Sequence, residues 1–505
     1  MRFDRSAGVF CHLTSLPGPH GVGDLGGGAR AFVDWLADAD QSYWQFCPLG
    51  PTASIHGDSP YQSYSAFAGN PLLVSLDRLV DDGYLDQADL RIGADAGDEA
   101  AEPDFPDDHV DYDRVRAYKT PRLRTAAERF HADAAADDRV DFDAFRERAS
   151  GWLDDYALFM ALRTRYDGAW TDWPEPVRTR DPDALATHRA ELADEIRYRE
   201  FVQFVFDRQW RALRAYAGER GIEFVGDLPI YVALDSADVW AAPEVFDLTA
   251  DHEPAAVAGV PPNPGDDGQR WGNPVYDWET LRTTGYEWWL DRLDRLLDLV
   301  DVARIDHFKG FDEFWAIPAD ADDPAAGEWR PAPGHDFFET VEAEVGALPF
   351  VVEDLGFLDP GLVDLRDRFG FPSMRVPHYA DWCREGDMYQ PMHYPVGSVG
   401  YTSTHDTDTL VGYYGSLPDR QRDCLRYNVG ADGAEVHWSV IEAVWRSDAV
   451  VAFTTVQDVL GLGSEARFNR PGTATGNWTW RCTEAAFRDD DAARLARLTD
   501  EQIRN

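Results

Sequence analysis

An α/β fold of the (β/α)8, or TIM barrel, class with a mostly helical insertion is predicted for this 505-residue sequence on three observations. Short apolar runs end in polar or turn residues and are separated by longer segments, the pattern of parallel strands covered on both faces. Between the early runs lies a long stretch whose apolar residues recur at helical, not strand, spacing. No segment repeats at a fixed period of about 20 to 50 residues, which disfavours a solenoid or propeller.

The runs GVFCHLTSL and YWQFCPLGP place the first part of the barrel in residues 1–75. EFVGDLPIYV, VDVARIDHF, PFVVEDLG, VGYTSTHD and VVAFTTVQD place the remainder, with its active-site loops, in residues 221–505. At about 100 to 200 residues per domain the length alone suggests roughly three domains, but barrels routinely exceed that range as one unit. Residues 76–220 form the expected helical insertion. From Asp183 to Ala217 there is no Gly or Pro, and Leu192, Ile196, Val202, Phe206, Trp210 and Leu213 recur at mostly helical intervals, predicting one long amphipathic helix. A second helical pattern carries Phe142, Phe145, Trp152, Tyr156, Phe159 and Leu162, while Arg91 to Asp111 reads as an exposed acidic connector.

The charge balance narrows the functional classes. With 92 Asp and Glu against 47 Lys and Arg, the net charge of −45 excludes a nucleic-acid binder that works by neutralising phosphates. An apolar content of 44% is enough for a large core. No run of about 18 apolar residues is present to span a bilayer, and the opening GVFCHLTSL reads as a strand, not an export signal, so a cytoplasmic location is expected. Five cysteines (Cys11, Cys47, Cys383, Cys424, Cys482) are widely spaced, odd in number and without a CxxC pair. That argues against a disulfide framework or zinc site and predicts reduced, inert thiols. Lys119 and Lys309 are the only lysines, and the acid excess is spread along the chain. Self-repulsion on this scale destabilises a compact state unless salt screens it, and in about 1 M salt the Debye length falls to about 3 Å. A halophilic protein is expected.

Three apolar runs finish in acids: VARIDHFKGF places Asp306, FVVEDLG places Glu353 and YTSTHDTDT places Asp406. In a barrel all three converge on the mouth formed by the C-terminal strand ends. Cleaving a glycosidic bond with retention needs two carboxyl groups about 5 to 5.5 Å apart, one ionised and one protonated. Arg304 lies two residues before Asp306, so in a strand both project to one face, and its guanidinium favours the ionised carboxylate. Desolvation and nearby negative charge favour the protonated form of Glu353. His405, beside Asp406, is a candidate donor to a sugar hydroxyl, whereas His307 reads as structural. Aromatic faces suit sugar rings, and Tyr61, Trp271 and Trp478 lie in stretches rich in Gly and Pro, which favour surface loops.

At these residues the sequence closely resembles the amylomaltases, the 4-alpha-glucanotransferases of glycoside hydrolase family 77. The likeness runs from HLTSLPGPHGVGDLG through GDSPYQSYSAFAGNP, FVGDLPIYVALDSADVW, GQRWGNPVY, VARIDHFKGF, FVVEDLG and YTSTHDTDT to RPGTATGNWTWR. It implies a retaining transfer of an alpha-1,4-glucan segment with no cofactor and no required metal. The implied partners are a malto-oligosaccharide or glucan donor and a sugar acceptor. It further implies Asp306 as nucleophile, Glu353 as general acid/base and Asp406 as the acid that holds substrate hydroxyls. Asp235, Arg304 and His405 match its other charged positions, and Tyr61, Trp271 and Asn477 its substrate-contacting ones. The chain departs from the family at Thr407 and His393, where asparagine is usual, and in a slightly longer segment before Tyr61. Three readings compete with transfer: hydrolysis by the same acids, a Mg2+ site built from the three carboxylates, and a catalytically silent glucan binder.

Overall fold

Eight short strands close into a parallel barrel: β1 (Ser6–Phe10), β2 (Tyr43–Gln45), β3 (Glu223–Leu228), β4 (Val302–Ile305), β5 (Phe350–Val352), β6 (Ser373–Arg375), β7 (Ser398–Tyr401) and β8 (Val451–Thr455). Around the barrel each strand pairs with its chain neighbours, and β8 closes on β1. The computed structural model describes residues 3–92, 104–263, 266–356, 358–473, 475–502 and 504. Seven of the strands come from the apolar runs. The eighth, β6, is only three residues flanked by prolines in FPSMRVP, too short for a periodic signal.

Alternate residues of the strands point in and out. Tyr43, Val225, Val302, Val351, Val399 and Phe453 form the inner cluster. Phe224, Ala303 and Ile305 instead join the clusters packed under the surrounding helices. Gly8 is required on the inner face of β1: a Cβ there would lie 2.5 Å from the Phe453 ring and 2.6 Å from Tyr43 Cβ. By the same alternation Asp227 and Arg304 follow Val225 and Val302 into the barrel, and they are register partners on β3 and β4. The barrel therefore carries a charged pair just below its C-terminal mouth.

Between β2 and β3 the chain is mainly helical, with longer helices at Tyr112–Asp133, Ala136–Arg148, Leu153–Arg165, Pro182–Glu191 and Ala193–Gly218. The single helix expected over 183–217 is two helices, because Leu192 leaves helical geometry at φ −106°, ψ 18°. Glutamines stitch the second of them to the barrel. Gln203 bonds both the N–H and C=O of Gly69 at 2.7 and 2.8 Å, and Gln209 does the same at Ser75 at 2.7 and 3.1 Å. Lys119, fully buried, adds an ion pair to Asp24 at 3.1 Å and a bond to the Leu72 carbonyl. Most of the connector expected over 91–111 lies outside the described residues.

A second, antiparallel sheet, not foreseen, is made of Ala256–Val260, Gln269–Pro274, Glu313–Pro318 and Glu328–Pro331. The cysteine reading needs correction: Cys383 and Cys424 form a disulfide, whereas Cys11, Cys47 and Cys482 are free and buried. The bonded pair is 41 residues apart and meets because the Trp382 backbone docks on the helix Asp419–Val429, donating to Gln421 at 2.9 Å. Spacing along the chain carries no trace of that contact. Among the described residues no helix is long and apolar enough to cross a membrane.

Candidate active site

The barrel mouth gathers three acids around one arginine. Arg304 Nη1 donates to both oxygens of Asp227 at 2.7 and 2.6 Å and to Asp306 Oδ1 at 2.9 Å. Its Nη2 lies 3.3 Å from Glu353 Oε2. The side chains of Arg304 and Asp227 are sealed, at 4% and 0% exposure, whereas Asp306 and Glu353 each keep 23% open to the cleft. The strand ends thus present two carboxyl groups to a ligand while an inner ion pair holds them from below.

Asp306 and Glu353 leave adjacent parallel strands one residue beyond their ends, and the backbone locks them together. Glu353 N–H donates to the Ile305 carbonyl at 3.0 Å, and Phe308 N–H to the Glu353 carbonyl at 3.2 Å. After Asp306 the chain turns through His307 in the left-handed region, φ 48°, which aims the His307 N–H at Glu353 Oε2, 2.7 Å away. Burial, then the negative charge of Asp306, push Glu353 up to about 8, against the opposing pull of Arg304 and the His307 N–H. Asp227 is also raised, first by burial and against Arg304. One carboxyl of the facing pair is therefore kept protonated at neutral pH, while its neighbour Asp306 accepts from the Arg304 guanidinium.

Asp406 is held from the other side. Asn469 Nδ2 donates to Asp406 Oδ1 at 2.6 Å, and His405 Nε2 lies 3.2 Å from Asp406 Oδ2. Burial would raise this acid, but His405 and Asn469 outweigh it and hold it at about 2. Burial likewise disfavours the charged form of His405, yet the charge of Asp406 raises it above the ordinary imidazole value. The Tyr61 hydroxyl joins the two halves of the site: it donates to Asp227 Oδ2 at 2.9 Å and lies 2.8 Å from His405 Nε2, with the two rings stacked at 5.3 Å. Trp478 closes this corner at 5.6 Å from Tyr61.

Trp271 stands on a strand of the small sheet, not on a loop, edge-on to His307 with ring centroids 4.8 Å apart. Two expected residues do not reach the cluster. Asp235 is bound by Arg163 of the insertion at 2.5 Å and accepts the Trp170 N–H, and Asp227 is the acid that touches Arg304. Asn477 folds its own loop, accepting from Arg470 N and donating to the Thr473 carbonyl, and Asn469 is the amide that touches Asp406. Asp227 lies in the run EFVGDLPIYV, where an acid inside a buried strand is itself a signal. Nothing in the sequence singled out Asn469. Thr407 turns inward, its hydroxyl accepting Thr404 N–H at 2.8 Å to close the turn that carries His405 and Asp406, and His393 is exposed. Asp227, Asp306 and Glu353 converge on Arg304, and Asp406 pairs with His405. Among the described residues only Asp312, Glu313 and Asp359 cluster closely enough to suggest a cation, and Lys309 Nζ already sits among them.

Comparisons with known proteins bear on the family and the fold. The family model described as 4-alpha-glucanotransferase, glycoside hydrolase type 77, matches residues 11–486. The 4-alpha-glucanotransferase of Synechocystis sp. is 45% identical over 98% of this chain and 97% of its own, and that of Thermus thermophilus 43% identical over 99% of both. The amylomaltase of Streptococcus agalactiae, solved in complex with acarbose, superposes with a TM-score of 0.93 at 34% identity, covering 99% of this chain and all of that one. By sequence over its full length and by fold, the chain belongs to glycoside hydrolase family 77, the 4-alpha-glucanotransferases.

Proposed function

We propose that the enzyme moves alpha-1,4-glucan segments between malto-oligosaccharides by a retaining double displacement. Asp306 attacks the anomeric carbon while Glu353 gives its proton to the departing glucan oxygen. The 4-hydroxyl of an acceptor sugar, deprotonated by Glu353, then displaces Asp306 and restores the starting state. Asp406, ionised and anchored by Asn469 and His405, is suited to hold sugar hydroxyls as the ring distorts. Arg304 balances the negative charge of Asp227 and Asp306 throughout. Tyr61 and Trp271 offer ring faces at the cleft. Asp235 and Asn477 act on this reading only through the loops they brace.

The observation that carries the proposal is the split between neighbours: Glu353 raised to about 8 beside an Asp306 that accepts from Arg304 at 2.9 Å. Arg304 also argues against the Mg2+ alternative, because its guanidinium occupies the point on which Asp306 and Glu353 converge, while Asp406 is turned to His405 and Asn469. The acarbose in the Streptococcus agalactiae structure supports taking acarbose as a probe of this cleft. Incubation with maltotriose separates transfer from hydrolysis. A ladder of longer glucans plus glucose is expected, and shorter sugars alone would assign the chain to hydrolysis.

The surface supports a salt-rich working medium. Both lysines are internal, with side chains 0% and 7% exposed, so surface cations are arginines dispersed among the acids that make the charge −45.

A further inference from the structure

Lys309, one of the two lysines, bonds elements that carry the two central acids. It lies in the turn Phe308–Phe311, three residues after Asp306 and four after Ile305, the last residue of β4. Its ammonium lies 2.6 Å from Asp312 and 3.3 Å from Glu313, and it bonds Asp359. The Trp329 ring lies 5.3 Å away. Asp359 is the N-cap of the helix Pro360–Phe369 that follows β5, its other oxygen accepting the Leu362 N–H at 3.0 Å. Glu313 opens the strand Glu313–Pro318 of the small sheet. One nearly buried cation therefore joins the turn after Asp306, the sheet that bears Trp271, and the helix that follows Glu353.

The three carboxylates have oxygen atoms within 4.8 Å of one another, a spacing at which mutual repulsion opens the cluster unless a cation fills it. A compact ammonium suits such a point better than a planar guanidinium, which presents a fork and not a point charge. The same turn supplies the His307 N–H to Glu353 and the Phe308 N–H to the Glu353 carbonyl. We infer that Lys309 is a positioning residue for the transfer reaction, a tethered cation that latches the loop after β4 to the helix after β5 and so sets the separation of Asp306 and Glu353. This rests on the roles proposed for those two acids. Lys309 touches neither of them, and its effect passes through the turn.

Three variants test it, each assayed with maltotriose beside the wild type under conditions where circular dichroism shows the variant folded. Asp359→Asn keeps an N-capping side chain but removes the charge that Lys309 holds across the loops. A displacement of the reacting groups should lower kcat by about tenfold or more, with KM changed less than about threefold. Lys309→Ala should show the same split, and Ca2+ added to it should restore kcat by filling the vacated point. Lys309→Met, whose side chain fills that space without charge, should lose kcat and gain nothing from Ca2+. Wild-type kcat in Asp359→Asn, or Ca2+ restoring Lys309→Met as well as Lys309→Ala, would overturn the latch. If Lys309→Ala fails to fold, Asp359→Asn and Lys309→Met still decide it. Absence of a transfer ladder in the wild type would count against the function itself, so the two failures are distinguishable.

Discussion

At the scale of single residues, the site works because neighbours with the same chemistry are given different environments. Glu353 is raised to about 8 from an ordinary 4.5 by burial and by Asp306, whereas Asp406 is drawn down to about 2 by His405 and Asn469. The general acid must carry its proton, so transfer should fall as pH rises through about 8, and a rate profile measures it. The same shift has a sign in stability. The folded state keeps the Glu353 proton where the unfolded chain has lost it, so this contribution is present below about 4.5 and is lost as pH rises to about 8. Glu353→Gln should therefore gain in Tm over the wild type across that interval and hold its advantage above it; a difference that does not change with pH would contradict the assignment. Asp306, Glu353, Asp406 and Arg304 were readable in the sequence because each ends or lines an apolar run. Asp227 lies inside such a run without ending it, so its one signal, an acid in a buried strand, is easily passed over. Asn469 reaches Asp406 only through the closure of a loop 63 residues downstream, and the carboxylate of Asp235 is engaged by an arginine 72 residues upstream. Those contacts belong to tertiary structure and leave no local pattern.

At the scale of elements, the barrel was readable because parallel strands buried on both faces must be continuously apolar. The three-residue β6 was not, and neither was the small sheet, whose strands have one mixed face and lie in segments rich in Gly and Pro. The helix break at Leu192 follows no Gly or Pro and so gave no signal. The loop after β6 shows how tertiary contacts take over. Trp382 is fully buried, its N–H accepted by Gln421 at 2.9 Å, its indole by the Tyr413 hydroxyl at 2.9 Å, and its carbonyl bonded by Asn428 at 2.8 Å. With the loop held by these bonds, the Cys383–Cys424 link adds stability without being needed for the site. Closing a loop of this length stabilises by about 2 to 4 kcal/mol. Cys383→Ser should lower Tm accordingly while keeping the maltotriose rate. A large loss of rate at unchanged Tm would show that the bond serves the site directly.

For the whole molecule, charge sets the conditions under which everything else operates. A net −45 on one chain repels itself, and screening at molar salt shortens that repulsion to about 3 Å, leaving close pairs such as Lys119–Asp24 at 3.1 Å largely intact. Unfolding followed against KCl should give a midpoint that rises with salt up to the molar range. Equal stability in dilute buffer would remove the salt-adapted reading but leave the fold and site untouched, since relatives at 45% and 43% identity cover the full chain.

The most direct test of the mechanism is to trap its intermediate. An alpha-maltosyl fluoride needs little help from a general acid to leave, whereas release of the sugar from the enzyme needs Glu353 as base. Glu353→Gln treated with it should therefore accumulate a maltosyl adduct, visible by intact mass and located by peptide mass spectrometry on Asp306. An adduct on another residue, or no adduct together with products of inverted anomeric configuration, would contradict a double displacement through Asp306.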